Sequence, residues 1–439
     1  MTNSDKGFFG LGIAPGILEV LSKLNFTVPT PIQERSIPIT LEGKDLMGIA
    51  QTGTGKTLAF GIPLIQQALQ GGKFGLIVAP TRELALQINE TIKKIGGPLR
   101  IRTATLIGGE VIARQIRDLR ALPHIVVGTP GRIIDHLNQR TLSLQKTNML
   151  VLDEADRMLD MGFAPQLRKI VYELPKERQT MIFSATMPNE IAKLANDYMK
   201  LPIRIEIAPS GETSKNVTQE LFFVSQESKP QLLEKLLQEY RGSVLVFART
   251  KYAAKRITGF VVKLGHTAAE IHSNRSLNQR REALDGFKTG KYRILIATDI
   301  AARGIDVTNI ELVLNYDLPQ AAEDYVHRIG RTARAGGSGH AVSFARTNEW
   351  AEVRAIERFI RKSLPVSKLP ELPPPPPFQF KAHEISEEPR RRFGGHRPGG
   401  PSRPRGAGRA SKPVFGRKSS PFSRPGSKSA HFGPRKRFR

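Results

Sequence analysis

Residues 50–57 read Ala50-Gln51-Thr52-Gly53-Thr54-Gly55-Lys56-Thr57. This run fits the phosphate-binding pattern G-x-x-x-x-G-K-[ST], with alanine in the place of the first glycine. Two glycines let the backbone turn its N–H groups towards phosphate oxygens, while Lys56 can reach the β- and γ-phosphates and Thr57 can bind Mg²⁺. The run predicts a site for a nucleoside triphosphate, although taken alone it also fits a glycine-rich turn before a helix.

A second run supports this prediction. The unbroken apolar segment Met149-Leu150-Val151-Leu152 is followed by Asp153-Glu154-Ala155-Asp156. Such a segment is typical of a strand buried on both faces of a parallel sheet, and ligand sites lie at the carboxyl ends of these strands. Asp153 is placed to hold Mg²⁺, usually through water, and Glu154 to orient or deprotonate the attacking water. An acidic start of a solvated helix is the alternative.

Composition bounds the class of protein. The 439 residues suggest two domains and a remainder. The absence of cysteine excludes disulfide partners and thiolate metal sites, and suits a reducing compartment. No apolar run approaches the length of about 18 residues that a membrane span needs, and residues 1–6 lack an apolar leader segment. We therefore expect a soluble cytoplasmic protein without a membrane partner.

Positive charge is concentrated at the C-terminal end. Of the formal charge of +27, residues 390–439 carry +16 from sixteen Lys or Arg without Asp or Glu, and residues 1–389 carry +11. Phenylalanines are interspersed among the Gly, Pro, Ser and Arg of this segment, at Phe393, Phe415, Phe422, Phe432 and Phe438. This composition predicts a disordered tail that attracts phosphates and stacks on bases. A tail that only increases solubility is the alternative.

Apolar strand candidates alternate with helical patterns in two series, which predicts α/β folds with parallel sheets. The first series includes residues 45–49, 74–79, 125–128, 149–152 and 181–183. The second begins near Gln219 and includes 243–247, 294–297, 312–315 and 341–344. A helical rhythm of apolar residues runs over 82–95. We predict a first domain at 1–207, a linker at 208–217, a second domain at 218–365, and a Pro-rich spacer with the basic tail at 366–439.

Over residues 8–365 the chain resembles the DEAD-box RNA helicases, most closely their bacterial RhlE-like branch. The resemblance rests on about a dozen motifs in the family's order and spacing, beginning with the two runs quoted above. It implies a superfamily 2 helicase core of two RecA-like domains. It also implies an ATP- and Mg²⁺-dependent enzyme that separates short RNA duplexes or remodels RNA–protein complexes, without reading RNA sequence in the core.

The resemblance assigns nucleotide contacts on both domains. Gln33, in the segment 26–33, would bond the adenine edge, with Phe26 or Phe8 packed against the base. Asn25 stands where the family usually has glycine, and asparagine tolerates positive φ. In the second domain Asp306 would hold a ribose hydroxyl. The remaining expected nucleotide contacts are Gln51, Thr52, Gly53, Thr54, Gly55, Lys56, Thr57, Arg331 and Arg334.

The resemblance also assigns RNA contacts, which follow strand candidates or lie in loops. In the first domain they are Pro80, Thr81, Arg82, Gly108, Gly109, Thr129, Pro130, Gly131 and Arg132. In the second domain they are Arg249, Thr298, Asp299, Arg303 and Gly304, with Arg303 on a phosphate. Ser184-Ala185-Thr186 would couple the ATP and RNA sites through the acids of 153–156. Each short motif taken alone also fits a helix cap or an ordinary turn.

The segment His327-Arg328-Ile329-Gly330-Arg331-Thr332-Ala333-Arg334 carries three arginines and a histidine that would repel one another without an anion between them. A solvated basic helix is the alternative. By resemblance, Arg331 and Arg334 are arginine fingers for the γ-phosphate, and His327 belongs to the network around the attacking water. His272 and Arg280 keep the family's separation, but Leu277 stands where glutamine is usual, so one RNA or interdomain contact is expected to differ.

Two other functions remain open at this stage. The chain could be an ATP-gated RNA clamp or scaffold without productive unwinding, or a DNA helicase with the same core. Partners expected from the resemblance are ribosomal precursors or proteins of RNA decay.

Overall fold

The short apolar segments of the sequence form the strands of two parallel sheets. Helices cover both faces of each sheet, so the central strands are buried on both sides and carry apolar residues throughout. The computed structural model describes residues 7–51, 53–71, 74–207, 217–302, 307, 310–333 and 338–372, with backbone alone at 300 and 302. Residues 7–207 are called the first lobe below, and the described residues from 217 onward the second lobe. Both lobes belong to one compact unit of the chain.

Within the described residues, the first lobe contains a seven-stranded parallel sheet in the order β3-β4-β2-β5-β6-β1-β7. Its strands are β1 (Leu46–Ile49), β2 (Phe74–Val78), β3 (Thr103–Leu106), β4 (Ile125–Gly128), β5 (Thr147–Leu152), β6 (Gln179–Ser184) and β7 (Ile203–Glu206). Its helices are α1 (Pro15–Lys23), α2 (Pro31–Leu41), α3 (Lys56–Leu69), α4 (Arg82–Gly96), α5 (Ile112–Arg120), α6 (Pro130–Asn138), α7 (Ala155–Asp160), α8 (Ala164–Tyr172) and α9 (Asn189–Tyr198).

The described part of the second lobe contains a six-stranded parallel sheet in the order β10-β11-β9-β12-β13-β8. Its strands are β8 (Val217–Phe223), β9 (Val244–Phe247), β10 (Ala268–Ile271), β11 (Ile294–Ala297), β12 (Leu312–Asn315) and β13 (Gly339–Ala345). Its helices are α10 (Lys229–Glu239), α11 (Lys251–Lys263), α12 (Leu277–Lys288), α13 (Asp299–Ala302), α14 (Ala322–Ile329) and α15 (Trp350–Ile360). Apolar clusters fill both faces of each sheet.

The order of the first sheet decides which loops meet. Strand β6 lies between β5 and β1, with Leu152 opposite Ile182 and Ile49 opposite Ser184. The loops that follow these three strands therefore meet at one part of the carboxyl edge. The loops after β2, β3 and β4 lie further along the same edge, because these strands follow β5 on its other side.

These observations confirm the predicted fold of two RecA-like α/β lobes with parallel sheets. The strand predictions missed β3, β7 and β10, which lie at sheet edges. Edge strands are partly exposed, so their sequences lack the continuous apolar run that marks the central strands. Helix α3 continues through Pro63.

The chain continues against the second lobe after residue 365. Val366 forms a parallel bridge with Leu221 of the edge strand β8. The Leu221 N–H donates to the Pro365 carbonyl and the Ser367 N–H donates to the Leu221 carbonyl, each at 2.9 Å. The segment therefore covers an edge that would otherwise present unpaired backbone groups.

The predicted domain boundaries stay predictions. Residues 208–216 of the predicted linker and residues 373–439, which hold part of the predicted spacer and the whole basic tail, lie outside the described residues. None of the helices described is both long and apolar enough to cross a bilayer.

Candidate functional site

The loop between β1 and α3 has the backbone that phosphate binding requires. Gly53 and Gly55 have φ of 89° and 90°, the left-handed region that glycine adopts without a side-chain clash. Gly55 is the N-cap of α3, so the free N–H groups of the first helical turn follow it directly. The buried Lys56 Nζ donates to the Ala50 carbonyl at 2.9 Å, which folds the amine back inside the loop. The loop can surround an anion.

Gln33 is tied to this loop. Its Oε1 accepts from the Thr30 N–H at 2.9 Å, and its Nε2 donates to the Gly55 carbonyl at 2.9 Å. A primary amide has two donors and two acceptor positions, so one of each remains. Adenine offers an adjacent donor and acceptor at N6 and N7, which match that remaining pair.

The two candidate stacking aromatics lie in different surroundings. Phe8 is buried in the core cluster of the first lobe, whereas Phe26 is 40% exposed. Asn25 has φ of 60°, so the residue that replaces the family's usual glycine adopts the left-handed conformation that asparagine tolerates.

The acidic run directly follows β5. Asp153 and Glu154 are 2% and 4% exposed, and the Glu154 N–H donates to Asp153 Oδ1 at 3.0 Å. Burial raises the pKa of Asp153 to about 7. The positive charge of Lys56 lowers this pKa by less than burial raises it, and the negative charge of Glu154 raises it further. Glu154 Oε2 is buried without a hydrogen-bond partner in the described part of the chain.

This donor set fits a magnesium ion that a nucleotide helps to hold. Among the described residues, no group of three or more His, Cys, Asp or Glu could hold a metal. Mg²⁺ in nucleotide sites typically takes one or two protein ligands, water and substrate phosphates. A buried carboxylate with a raised pKa gains from a nearby cation, and Asp153 with the hydroxyl of Thr57 could hold it.

Asp156, at the end of the acidic run, binds the segment after β6. Its Oδ2 accepts from the Ala185 N–H at 3.0 Å, the Thr186 N–H at 2.9 Å and Thr186 Oγ1 at 2.9 Å. Three donors on one oxygen fix this segment to the acidic run. Ser184 is buried, and its hydroxyl has no partner in the part of the chain that is described. The predicted bond between the hydroxyl residues and the acids is thus present for Thr186.

The first-lobe residues predicted to contact RNA, except Gly109 and Pro130, line a cleft of about 350 Å³. The guanidinium group of Arg82 lies against Gly108 and Gly109, and a side chain at Gly109 would force it to move. The Thr81 hydroxyl accepts from the Leu84 N–H at 3.2 Å and so caps α4, which is the alternative that the sequence left open for this motif. The cleft is lined by Pro80, Thr81, Arg82, Glu83, Gly108, Thr129, Gly131, Arg132, Asp135, Met161, Phe163 and Arg280.

Arg132 is held by residues that the sequence did not point to. Its Nη1 donates to the Glu110 carbonyl at 3.2 Å and to Gln115 Oε1 at 3.1 Å. Gln115 Oε1 also contacts His136 Nε2 at 3.1 Å, and His136 Nδ1 contacts Thr141 Oγ1 at 2.8 Å. The only sequence signal was the spacing of Arg132 and His136 at i and i+4 on α6.

The second-lobe contacts form around Arg328. Both oxygens of Asp299 accept from it, Oδ1 from Nε at 2.6 Å and Oδ2 from Nη2 at 2.8 Å. The guanidinium group also lies 4.9 Å from the ring centroid of Phe247. The predicted RNA contact of Asp299, like that of Thr298, stays a prediction. Arg328 was not predicted as a site residue, although it lies in the sequence segment 327–334, which is called the basic segment below.

A narrow gap between the lobes brings the basic segment opposite the acidic run. Arg157, which directly follows Asp156, forms an ion pair with Asp324 of α14. His327 Nδ1 is buried without a partner among the described residues. The gap is lined by Arg157 from the first lobe and by Phe247, Asp299, Asp324, His327, Arg328 and Arg331 from the second.

The lobes also meet beside the cleft that the predicted RNA contacts line. Leu277 is 5% exposed and belongs to the apolar cluster of the first lobe. Arg280 Nη2 contacts Glu83 Oε2 at 2.8 Å, and Arg281 Nη2 contacts Glu110 Oε1 at 2.7 Å. The leucine that replaces glutamine thus supplies an apolar contact between the lobes.

Several predicted site residues lie outside the described residues, so their roles stay predictions. They are Thr52, Arg303, Gly304, Asp306 and Arg334.

Comparisons with known proteins agree with this geometry. Residues 30–194 match the family model "DEAD/DEAH box helicase", and residues 228–336 match "Helicase conserved C-terminal domain". The chain is 44% identical to "ATP-dependent rRNA helicase RRP3" of Meyerozyma guilliermondii, over 84% of this chain and 78% of that protein. It is 42% identical to "DEAD-box ATP-dependent RNA helicase CshA" of Geobacillus kaustophilus, over 83% and 79%.

Two solved structures superpose differently on the chain. "S. cerevisiae Dbp5 bound to RNA and ADP BeF3" gives a TM-score of 0.76 at 30% identity, covering 82% of this chain and 95% of that one. A DEAD box protein from Methanococcus jannaschii gives only 0.50 at 39% identity, covering 82% and 99%. The structure that holds RNA and a nucleotide analogue is thus the better match despite its lower identity.

Proposed function

Because this chain belongs to the DEAD-box family of ATP-dependent RNA helicases, we propose that it opens short RNA duplexes by a closure of its two lobes that both ATP and RNA favour. Family membership makes it an RNA-dependent ATPase. The single observation that carries the closure step is the gap lined by Arg157 of the first lobe and by His327, Arg328 and Arg331 of the second.

The ATP pocket would use the first lobe for binding and both lobes for hydrolysis. In this proposal Gln33 bonds adenine, the glycine loop and Lys56 hold the phosphates, and Glu154 orients the attacking water. Mg²⁺, held by Asp153 and Thr57 with the phosphates, would neutralise charge on the nucleotide. Arg331 approaches from the second lobe, and positive charge placed in this way accelerates phosphoryl transfer in related reactions by about 10³ to 10⁵.

RNA would lie across the cleft of the first lobe and the facing loops of the second. Contacts to sugar and phosphate by Arg82, Arg132 and Arg249 would hold a strand without reading its bases. A strand bent across two lobes cannot keep the geometry of a duplex, so a few base pairs would open. Asp156 and Thr186 connect this event to the ATP pocket.

The physiological RNA is the finer part of the proposal. Relatives described as rRNA helicases support a substrate among ribosomal RNA precursors. Assignment to the RhlE-like branch, partners in RNA decay and a cytoplasmic location remain predictions from the sequence.

The variant Glu154→Gln tests the assignment of hydrolysis. We expect it to bind ATP and RNA but to lose ATP turnover and RNA release in a stopped-flow assay. The matched control is Glu190→Gln, the same change at an exposed position of α9. Turnover retained in Glu154→Gln would overturn the role of Glu154.

Two further measurements address the alternatives. Stimulation of ATP hydrolysis by DNA as strongly as by RNA would favour a DNA helicase. A clamp would hold RNA in the presence of ATP yet fail to separate a short duplex, so a strand-separation assay distinguishes it from a helicase.

A further inference from the structure

We propose that Phe223 and Trp350 form a platform on which a base of single-stranded RNA stacks, extending the RNA path on the second lobe beyond the family motifs. The inference rests on the proposed function, because it takes Arg249 as a residue that faces RNA. We call the two rings, together with the neighbouring Arg249 and Arg346, the aromatic platform.

The two rings are already stacked and held in place. Their centroids are 4.4 Å apart with an angle of 30° between the planes. Phe223 ends β8 and Trp350 begins α15, and both elements are anchored by buried residues such as Leu221 and Val353. Trp350 nevertheless remains 47% exposed. A fixed and exposed indole offers a stacking surface with little conformational entropy to lose on binding.

Two cations bind the residue that precedes Trp350. Glu349, the residue before Trp350, accepts from Arg249 Nη2 at 3.3 Å and from Arg346 Nη2 at 2.9 Å. The Glu349 side chain is buried, while both arginines remain partly exposed. Burial would raise the pKa of Glu349, but the hydrogen bonds and charge of Arg346 hold it below its ordinary value, so the carboxylate stays charged. It therefore fixes both guanidinium groups at Glu349, the residue that precedes Trp350 in the chain.

Charge and continuity favour RNA as the occupant. An exposed aromatic ring beside fixed cations is the combination with which proteins bind single strands, through base stacking and phosphate attraction. Within the platform, Arg249 follows the end of β9, and its backbone N–H donates to Asp317 Oδ2 at 3.0 Å. A strand bound at Arg249 would reach Trp350 without leaving the surface of the lobe.

The test uses the fluorescence of the single tryptophan in the chain. The full-length protein with a non-hydrolysable ATP analogue is titrated with unlabelled single-stranded RNA. Binding of the same RNA is followed in parallel by anisotropy of an end-labelled strand. We expect the Trp350 emission to be quenched in step with binding. Unchanged emission at saturating RNA would overturn the proposal.

Variants test how much the Trp350 ring contributes to RNA affinity. Base stacking on aromatic rings contributes directly to the affinity of proteins for single strands. We expect Trp350→Ala to weaken RNA binding about tenfold, and Trp350→Phe to restore most of the affinity. Loss of the ring should leave the dependence of affinity on salt unchanged, whereas Arg346→Gln should reduce its logarithmic slope by about 0.7. Equal affinity of the wild type and Trp350→Ala would contradict the proposal.

The matched control is Tyr172→Ala, which removes an exposed ring at the end of α8 in the first lobe and should leave RNA affinity unchanged. RNA that fails to stimulate ATP hydrolysis by the wild type would contradict the proposed function itself. Stimulation without quenching of Trp350 would contradict only the platform, and would favour a protein partner for the exposed rings.

Discussion

Arg157 and Asp324 form an ion pair that joins the two lobes across the gap between the acidic run and the basic segment. The Arg157 side chain is 4% exposed and that of Asp324 is 13% exposed. Arg157 directly follows Asp156, which holds Thr186, and Asp324 precedes His327 by one helical turn. The pair therefore connects the acidic run and its bonded segment 184–186 in one lobe to the segment 327–334 in the other.

Weakening this pair should weaken closure. The neutral side chain of Asp324→Asn would leave the buried Arg157 without the charge of its partner, an unfavourable change in the closed state that opening relieves. We expect the RNA concentration for half-maximal ATP hydrolysis to rise about tenfold, equivalent to about 1.4 kcal/mol. The control is Asp197→Asn at an exposed position of α9. An unchanged half-saturation would show that the pair does not stabilise closure.

Leu277 should stabilise the closed state by its apolar contact. Burying a leucine contributes about 1.5–3 kcal/mol relative to leaving it exposed, and Leu277 is expected to be exposed when the lobes separate. Leu277→Ala should therefore shift the lobes towards open conformations in the presence of ATP analogue and RNA. Leu69→Ala, at an exposed leucine of α3, is the control.

Energy transfer between dyes on the two lobes measures this shift. The chain has no native cysteine, so cysteines introduced at the exposed positions Tyr172 and Val262 would carry the dyes without further changes. Identical distance distributions for Leu277→Ala and the unsubstituted protein would contradict the role of Leu277.

Thr186→Val should separate hydrolysis from unwinding. It keeps the shape of the side chain but removes one of three hydrogen bonds to Asp156 Oδ2, and bonds to charged groups contribute about 1.5–3 kcal/mol. We expect a lower melting temperature and fewer duplexes separated per ATP hydrolysed. Thr91→Val, which removes a hydroxyl bond to the Gln87 carbonyl within α4, is the comparison. An equal ratio of the two activities in wild type and Thr186→Val would contradict coupling through this contact.

Acidic pH should destabilise the cluster of Gln115 and His136 that holds Arg132. Burial, and then the charge of Arg132, lower the pKa of His136 from its ordinary value of 6.5. Between that value and the lower pKa of the folded state, the unfolded chain binds a proton that the folded protein does not. The free energy of unfolding should therefore fall as the pH drops below about 6.5.

A non-titrating residue at this position tests the acid effect. The melting temperature of His136→Asn should depend less on pH between 7.5 and 5.5 than that of the wild type, by scanning calorimetry. Parallel curves for the two proteins would assign the acid sensitivity to other groups.

Much of the nucleotide site could be predicted from the sequence because its parts are contiguous. The run 50–57 supplies a turn, a lysine and a hydroxyl within eight residues, and the acids follow a strand that its apolar sequence reveals. Central strands were found for the same reason. The edge strands β3, β7 and β10 were missed because half-exposed strands carry polar residues that hide the pattern.

The supports of the site could not be predicted, because each depends on residues far apart in the chain. Gln115 and His136 meet only when α5 packs beside α6, and Asp299 meets Arg328 only when β11 and α14 are in place. In the sequence, Leu277 is only a departure from the family pattern. Its contact with the first lobe arises because α12 of the second lobe packs against that lobe.

The sequence by itself determined the fold class and the family, and it predicted the residues that bind a nucleotide, because local patterns of apolar, glycine and charged residues encode strands and phosphate loops. Only the tertiary structure decided the strand order that puts the segment after β6 between the acidic run and the glycine loop. It alone decided the pairing of Arg157 with Asp324 and the stacking of Trp350 on Phe223. These contacts join distant segments, and their energies depend on packing that no local pattern specifies.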